Sequence, residues 1–333
     1  MSTFPQKVNT IGVIVGRDQV GDALIKLPFV RALRNAWPGA EIHWITSNGP
    51  TSYSHTLREP TKKLIDAVHD QPTWLATLDK PHPNVSPPHF DVLIDTRNRW
   101  REALLAKNIP HGIFISPALR FLLSEKRPKF LTPKPPHIVD RLLQMVELVA
   151  GYQPPSTGSL PVSETLLQMA RQILPDGPTY VGLAPGAGYA IKIWPRYKFE
   201  KVAGLQASKG RVPVFILGPQ EHAAFDALSG MVPSAKFPLQ EYNVWGHGQL
   251  SIDHTLAISK LLHVGVANDS GVGHMLAAVD CPLISLFGPT SPVKLAPRVS
   301  RSMIIQSQAF GSNQMKAITW EAVDAAVDKM LVP

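Results

Sequence analysis

Two successive series of short apolar strands alternating with amphipathic stretches leave few folds open to this chain of 333 residues. In the first half, Thr10 to Val15 reads as a strand, followed by a glycine-containing loop. Asp22 to Trp37 reads as a helix, because Leu24, Leu27, Val30 and Leu33 recur at three-residue steps. Pro28 inside that pattern predicts a kink, and Pro38-Gly39 stops the helix before a strand at Glu41 to Thr46. Strands follow at Asp66 to His69, Val92 to Asp95 and Ile113 to Ile115, with a helix at Trp100 to Lys107. The second half repeats the scheme. Its strands are Tyr180 to Ala184, Val212 to Leu217, His263 to Ala267 and Leu283 to Phe287, and its helices are Phe199 to Ala207, Glu221 to Leu228, Ile252 to Leu262 and Val272 to Val279. Strands separated by helices imply parallel sheets, since a parallel pair needs a crossover connection.

The length favours two domains, each able to bury its own core. A proline-rich passage (Pro128, Pro133, Pro135, Pro136), a helix at Ile138 to Ala150 and the run Pro154-Pro155-Ser156-Thr157-Gly158 put the boundary between residues 152 and 165. The expected domains are 1–160 and 161–333, with a ligand in a cleft between them at the carboxyl ends of the strands.

With 44% apolar and 17% charged residues, the chain is not disordered. The single cysteine, Cys281, excludes an internal disulfide and a thiolate metal site and suggests a reduced, intracellular setting. Arg17 and Asp18 cut the first apolar run short of an export signal. No run approaches the ~18 to 20 residues needed to cross a bilayer, so a soluble, cytoplasmic protein is expected. The net charge of +8 is concentrated: from Arg97 to Lys134 there are nine bases against two acids. A solvated face accounts for this, but such a field also attracts phosphates, acidic sugars, nucleic acid or anionic lipid headgroups. Nucleic acid is disfavoured by the lack of interleaved aromatic residues and of any nucleic-acid motif.

Four strand-to-helix loops carry residues suited to chemistry. Gly16 to Asp22 has neither the dinucleotide glycine fingerprint nor a P-loop, which disfavours a nicotinamide dehydrogenase. On position alone, Asp22 serves equally as a helix cap and as a general base. In Pro185 to Pro195, Gly186 and its small neighbours let amides approach an anion, and Lys192 offers a point charge, although a surface lysine reads the same way. Trp194 reads as a packing residue. Asn268-Asp269-Ser270-Gly271 with His274 presents free N–H groups at a helix start, a geometry that binds phosphate. Asp269 also suits a cap there, and His274 a structural histidine. Gly288-Pro289-Thr290 ends the next strand.

Gly21-Asp22 before a helix carrying Leu24 and Pro28, Lys192-x-Trp194-Pro195, Asn268-Asp269-Ser270-Gly271 with His274, and Phe287-Gly288-Pro289-Thr290 occur in this order from about residue 10 to residue 330. In this the chain resembles glycosyltransferase family nine, the bacterial lipopolysaccharide heptosyltransferases. The resemblance implies a GT-B fold of two Rossmann-like domains, the N-terminal one for the acceptor and the C-terminal one for a nucleotide-sugar donor. It implies an inverting, metal-independent transfer of a heptose or related sugar from an ADP-sugar to a lipopolysaccharide-core glycolipid. Asp22 falls on the family's general base, Lys192 on its phosphate-binding lysine, Asp269 to Gly271 with His274 on its phosphate turn, and Glu221, more loosely, on its ribose-binding acid. Asp18 and Gln19 depart from the Ser or small apolar residues common there. Arg99, Arg101, Lys126 and Arg127 are expected on the acceptor side, where they would also hold the protein at the anionic inner face of the inner membrane. The rival reading is a non-catalytic GT-B-like module that binds a nucleotide sugar or an anionic glycolipid.

Overall fold

The first sheet is built on Thr10–Val15 (β1), an apolar run whose residues are buried on both faces after the first, as expected of a central parallel strand. It pairs in parallel with β2 (Glu41–Thr46) and β4 (Phe90–Asp95). With β3 (Ala67–Asp70) and β5 (His111–Ile115), the order is β3-β2-β1-β4-β5. The second sheet contains β6 (Tyr180–Ala184), β7 (Val212–Phe215), β8 (Val264–Asn268), β9 (Leu283–Phe287) and β10 (Ser302–Gln306) in the order β10-β9-β8-β6-β7. Every strand pairing is parallel. The strand order reverses on either side of β1 in one sheet and β6 in the other, so the loops after β1 and β4, and after β6 and β8, flank the crevices where open α/β sheets bind ligands. In this computed structural model residues 7–78, 86–218, 221, 224–246 and 250–332 are described. The chain divides into two compact units, Met1–Thr157 and Gly158–Pro333.

The expected helix with a kink at Pro28 is in fact two helices, α1 (Val20–Ile25) and α2 (Leu27–Ala36), meeting at Lys26. Pro28 lies in the first turn of α2, where its missing N–H removes no helical hydrogen bond. The helix expected from Glu221 begins at Phe225. Elements that the periodicity does not mark also belong to the second unit, among them the helices Glu164–Ile173 and Trp320–Leu331 and the strand β10.

The core of unit 2 gathers Val181, Leu183, Phe215, Val264, Val266, Ile284 and Leu286 from its strands with Trp194, Phe199 and Val327 above them. Trp194 and Phe199 are fully buried and meet edge to face, with ring centroids 4.8 Å apart. This pair fixes the end of the 185–195 loop on the helix Arg196–Ser208. Phe199→Ala is therefore expected to lower the unfolding free energy by ~3 to 5 kcal/mol in a denaturant titration; a loss below ~1 kcal/mol would show that the ring pair does not support the loop.

Candidate active site

Asn268, the last residue of β8, is buried and binds the loop after β6 at both ends. Its Nδ2 donates to the Pro185 carbonyl (2.8 Å), and its Oδ1 accepts from the Trp194 N–H (3.1 Å). The Trp194 indole donates to the Ile318 carbonyl at 3.0 Å, which confirms a packing role. So stapled, the loop places Lys192 Nζ 2.7 Å from Asp269 Oδ2, and the Thr290 hydroxyl donates to the same oxygen at 2.7 Å. Three loops, after β6, β8 and β9, converge on one carboxylate. Lys192 is thus not a free surface lysine, nor does Asp269 cap the following helix.

The residue before the helix Gly271–Ala278 is Ser270, which has extended backbone and no side-chain capping bond. Among the described residues its Oγ is buried without a hydrogen-bond partner. Space beside Gly271 is open, since a Cβ built there meets nothing within 4 Å, whereas at Gly273 a Cβ would lie 3.3 Å from the Asn268 carbonyl oxygen. The first turn is accordingly held tightly at Gly273 and unobstructed at Gly271, with the helix dipole favouring an anion. His274 lies on this turn, its N–H 3.4 Å from the Ser270 carbonyl.

Glu221 is half-buried against the loop after β6. The Gly218 N–H donates to its Oε2 at 3.0 Å, and a side chain at Gly186 would collide with its carboxylate. Gly186 therefore acts less as an amide cradle than as the residue that admits Glu221. Burial pushes the Cys281 thiol up to about 12, which removes it as a nucleophile near neutral pH. Among the described residues, no three His, Cys, Asp or Glu side chains gather into a metal-binding group.

In unit 1, Asp22 lies in the first turn of α1 and is exposed. The N-cap is Gln19, without a side-chain bond, so Asp22 is not the cap. Among the described residues its carboxylate has no hydrogen-bond or ion-pair partner. Asp18, four residues earlier, is buried and accepts from Trp44 Nε1 (2.9 Å) and from the Lys26 ammonium. Asp95, at the end of β4, was not singled out from sequence, although an acid closing an apolar strand is a visible signal. Its Oδ1 accepts from the Arg97 backbone N–H (3.1 Å) and Nε (2.7 Å), its Oδ2 is buried without a partner among the described residues, and burial raises its pKa against the pull of Arg97.

The basic stretch is less uniform than its composition suggests. Arg97 pairs with Asp95 and Glu102, Arg99 with Glu102, and Lys107 with Glu125. Lys126 donates to the Val149 carbonyl (3.2 Å) and its pKa is lowered by burial, while Arg127 Nε donates to the Ser124 carbonyl (3.4 Å). Arg99 stays largely exposed, and the Arg101 guanidinium lies 5.2 Å from the Trp100 ring centroid. The stretch is not bare of aromatic residues either: Trp100 is half-exposed and Phe130 almost wholly so, with Leu104 and Leu131 also open to solvent. No helix among the described residues is long and apolar enough to cross a membrane.

The family model described as glycosyltransferase family 9 (heptosyltransferase) matches residues 85–320. Lipooligosaccharide heptosyltransferase 2 of Haemophilus influenzae is 29% identical over 147 residues, a match that spans 43% of this chain and 41% of that relative. Lipopolysaccharide heptosyltransferase 3 of Escherichia coli is 26% identical over 305 residues, covering 83% of this chain and 82% of the relative. The solved E. coli heptosyltransferase WaaC with ADP superposes with a TM-score of 0.68 at 18% identity, covering 96% of this chain and 99% of that one, and so shares its fold. The family model alone spans well over half of the chain, and the protein belongs to glycosyltransferase family 9.

Proposed function

We propose that this glycosyltransferase moves a heptose or related sugar from an ADP-sugar to an anionic glycolipid of the lipopolysaccharide-core type, with inversion and without a metal. The observation that carries the reading is the convergence of Lys192, Asp269 and Thr290 beside the unobstructed first turn at Ser270 and Gly271. Asp269 and Thr290 hold the ammonium in place, and the amides at Ser270 and Gly271 supply fixed partial positive charge. Together they suit a diphosphate. Glu221 offers its Oε1 to ribose hydroxyls while Gly218 engages Oε2.

In the reaction, Asp22 takes the proton of an acceptor hydroxyl as that oxygen attacks the anomeric carbon. The bond from that carbon to the diphosphate oxygen breaks, and the departing ADP carries away the electron pair. Lys192 and the amides stabilise the charge that grows on it, a task a cation performs in other transferases. The unpartnered, exposed Asp22 carboxylate supports the base assignment, because no bond has to be broken before it accepts the proton.

Asp22→Asn is expected to lower single-turnover transfer by ~10²- to 10⁴-fold while ADP binding and fold persist; near-normal turnover would remove Asp22 from the chemistry. An ADP-sugar bound but never turned over by the wild type would instead favour the non-catalytic binding module. Lys192→Ala should weaken ADP binding and lower kcat together, since the ammonium meets the diphosphate before and during bond cleavage. Unchanged calorimetric affinity with unchanged turnover would reject that role.

Arg99, Arg101, Arg127 and Lys129 alternate with exposed Trp100, Leu104, Phe130 and Leu131, a mixture suited to anionic headgroups above an acyl boundary. Reversing the charge of Arg99, Arg101 and Arg127 together should raise the acceptor KM and release the protein from phosphatidylglycerol-containing vesicles, as added salt should for the wild type. Lys126 is left out of this set because its ammonium is bound to the Val149 carbonyl. Wild-type acceptor kinetics and vesicle binding in the variant would reject the assignment.

A further inference from the structure

The loop between β1 and α1 is anchored by a buried ion pair that the reaction above does not use. The Asp18 side chain has no solvent exposure, and Lys26 is nearly buried. Besides accepting from Lys26 and from the Trp44 indole, Asp18 forms a bridge to Thr51, and its carbonyl accepts from the Ser52 N–H at 3.1 Å. The same Lys26 ammonium donates to the backbone carbonyl of Asp22 at 3.0 Å.

That last bond replaces one that a regular helix would make. In a continuous helix the Lys26 N–H would donate to the Asp22 carbonyl. Here α1 ends at Ile25, and the Lys26 N–H reaches only the carbonyls of Ala23 and Leu24. Asp22 sits in a six-residue helix with no side-chain N-cap, so its backbone is tied through Lys26 to the buried Asp18. Lys26 pairs with Asp18 and not with the Asp22 carboxylate, which stays open.

We propose that Asp18 and Lys26 are positioning residues for Asp22: the Lys26 ammonium fixes the backbone that aims the Asp22 carboxylate, and Asp18 cancels the ammonium's charge beside it. The inference rests on Asp22 being the general base. It also explains the departure of this loop from the family's small residues, because a carboxylate at 18 has a cation at 26 and an indole at 44 to receive it.

Among the described residues, the other charged or titratable groups joined to this pair by charge or contact include Tyr53, Arg31 on α2, and Asp70, which meets Thr51. Tyr53 donates its hydroxyl to the Ala23 carbonyl (2.6 Å), and burial together with the charge of Asp18 holds its pKa well above 10. Asp70 accepts from the Thr51 N–H (2.9 Å). Tyr53 therefore stays neutral near neutral pH, and changes at 18 and 26 alter the local charge by one unit in opposite senses.

The test is the pH profile of kcat/KM, read with melting temperature and donor KM, for Asp18→Asn, Lys26→Gln, the double variant and Lys26→Arg, with Asp22→Asn as control. Removing the Asp18 charge leaves an uncompensated ammonium and should move the acid limb to lower pH. Removing the Lys26 charge leaves an uncompensated carboxylate and should move it to higher pH, each by on the order of half a pH unit. The double variant should return the limb to its wild-type position while kcat stays about 10- to 100-fold low, because the backbone clamp is gone. Lys26→Arg, which keeps charge and donors, should keep the limb and most of kcat, and donor KM should hold throughout. If Asp22→Asn has lost turnover but the limbs of the single variants overlay the wild type, or their activities fall only as far as their folded fractions, the inference is overturned and the base assignment stands. Near-normal turnover of Asp22→Asn overturns both. Should a single variant be too unstable to assay, the double variant and Lys26→Arg still decide.

Discussion

The ion pair between Lys192 and Asp269 is the contact on which the arrangement of unit 2's site depends. Both side chains are largely buried, and the shared oxygen also accepts from Thr290, so the charges are removed from water only where each is met. Removing one partner of such a pair leaves an uncompensated charge, at a cost of ~3 to 5 kcal/mol when burial is complete and less here, where a fifth of the lysine is exposed. The pair can form only because Asn268 holds the loop after β6 by both ends and Trp194 closes it onto the core. Packing, loop conformation and charge placement are in this way one system.

Unit 1 solves the corresponding problem differently. There the residue assigned to the chemistry is left exposed, and the ion pair lies one layer below it, between Asp18 and Lys26. The break in the helix at Lys26 makes this possible, since an unbroken helix would use the Asp22 carbonyl itself and leave the ammonium no role there. Pro28, in the first turn of α2, keeps the break in place, since in an unbroken helix its ring would clash with the Leu24 carbonyl. Asp95 at the end of β4 is a second buried carboxylate in unit 1, and it takes up Arg97, a base that the charge pattern alone assigns to an outward-facing surface.

Much of the fold and part of the site were legible in the sequence, because both rest on local signals. Apolar runs of strand length alternating with amphipathic helices require parallel sheets whatever their strand order, and small residues between a strand and a helix mark where an anion can approach backbone amides. Hence composition alone marks the loops holding Lys192, Asp269, Ser270 and Gly271 as suited to an anion. Trp194 read correctly as packing for the same reason, a large aromatic residue next to a proline at a helix start.

Tertiary structure decided what those residues do to one another. Whether Lys192 is a surface charge or the partner of Asp269 turns on two loops far apart in sequence, and no periodicity encodes that meeting. The exposure of Asp22, the burial of Asp18 and the division of the basic stretch into paired and open charges were likewise settled by which strands stand side by side and where α1 ends. The sequence by itself determined that the chain makes two parallel sheets with anion-suited loops at their carboxyl ends, because strand and helix periods and loop composition act over a few residues. Only the fold determined which charges are cancelled and which remain available, because that depends on long-range neighbours and on access to water.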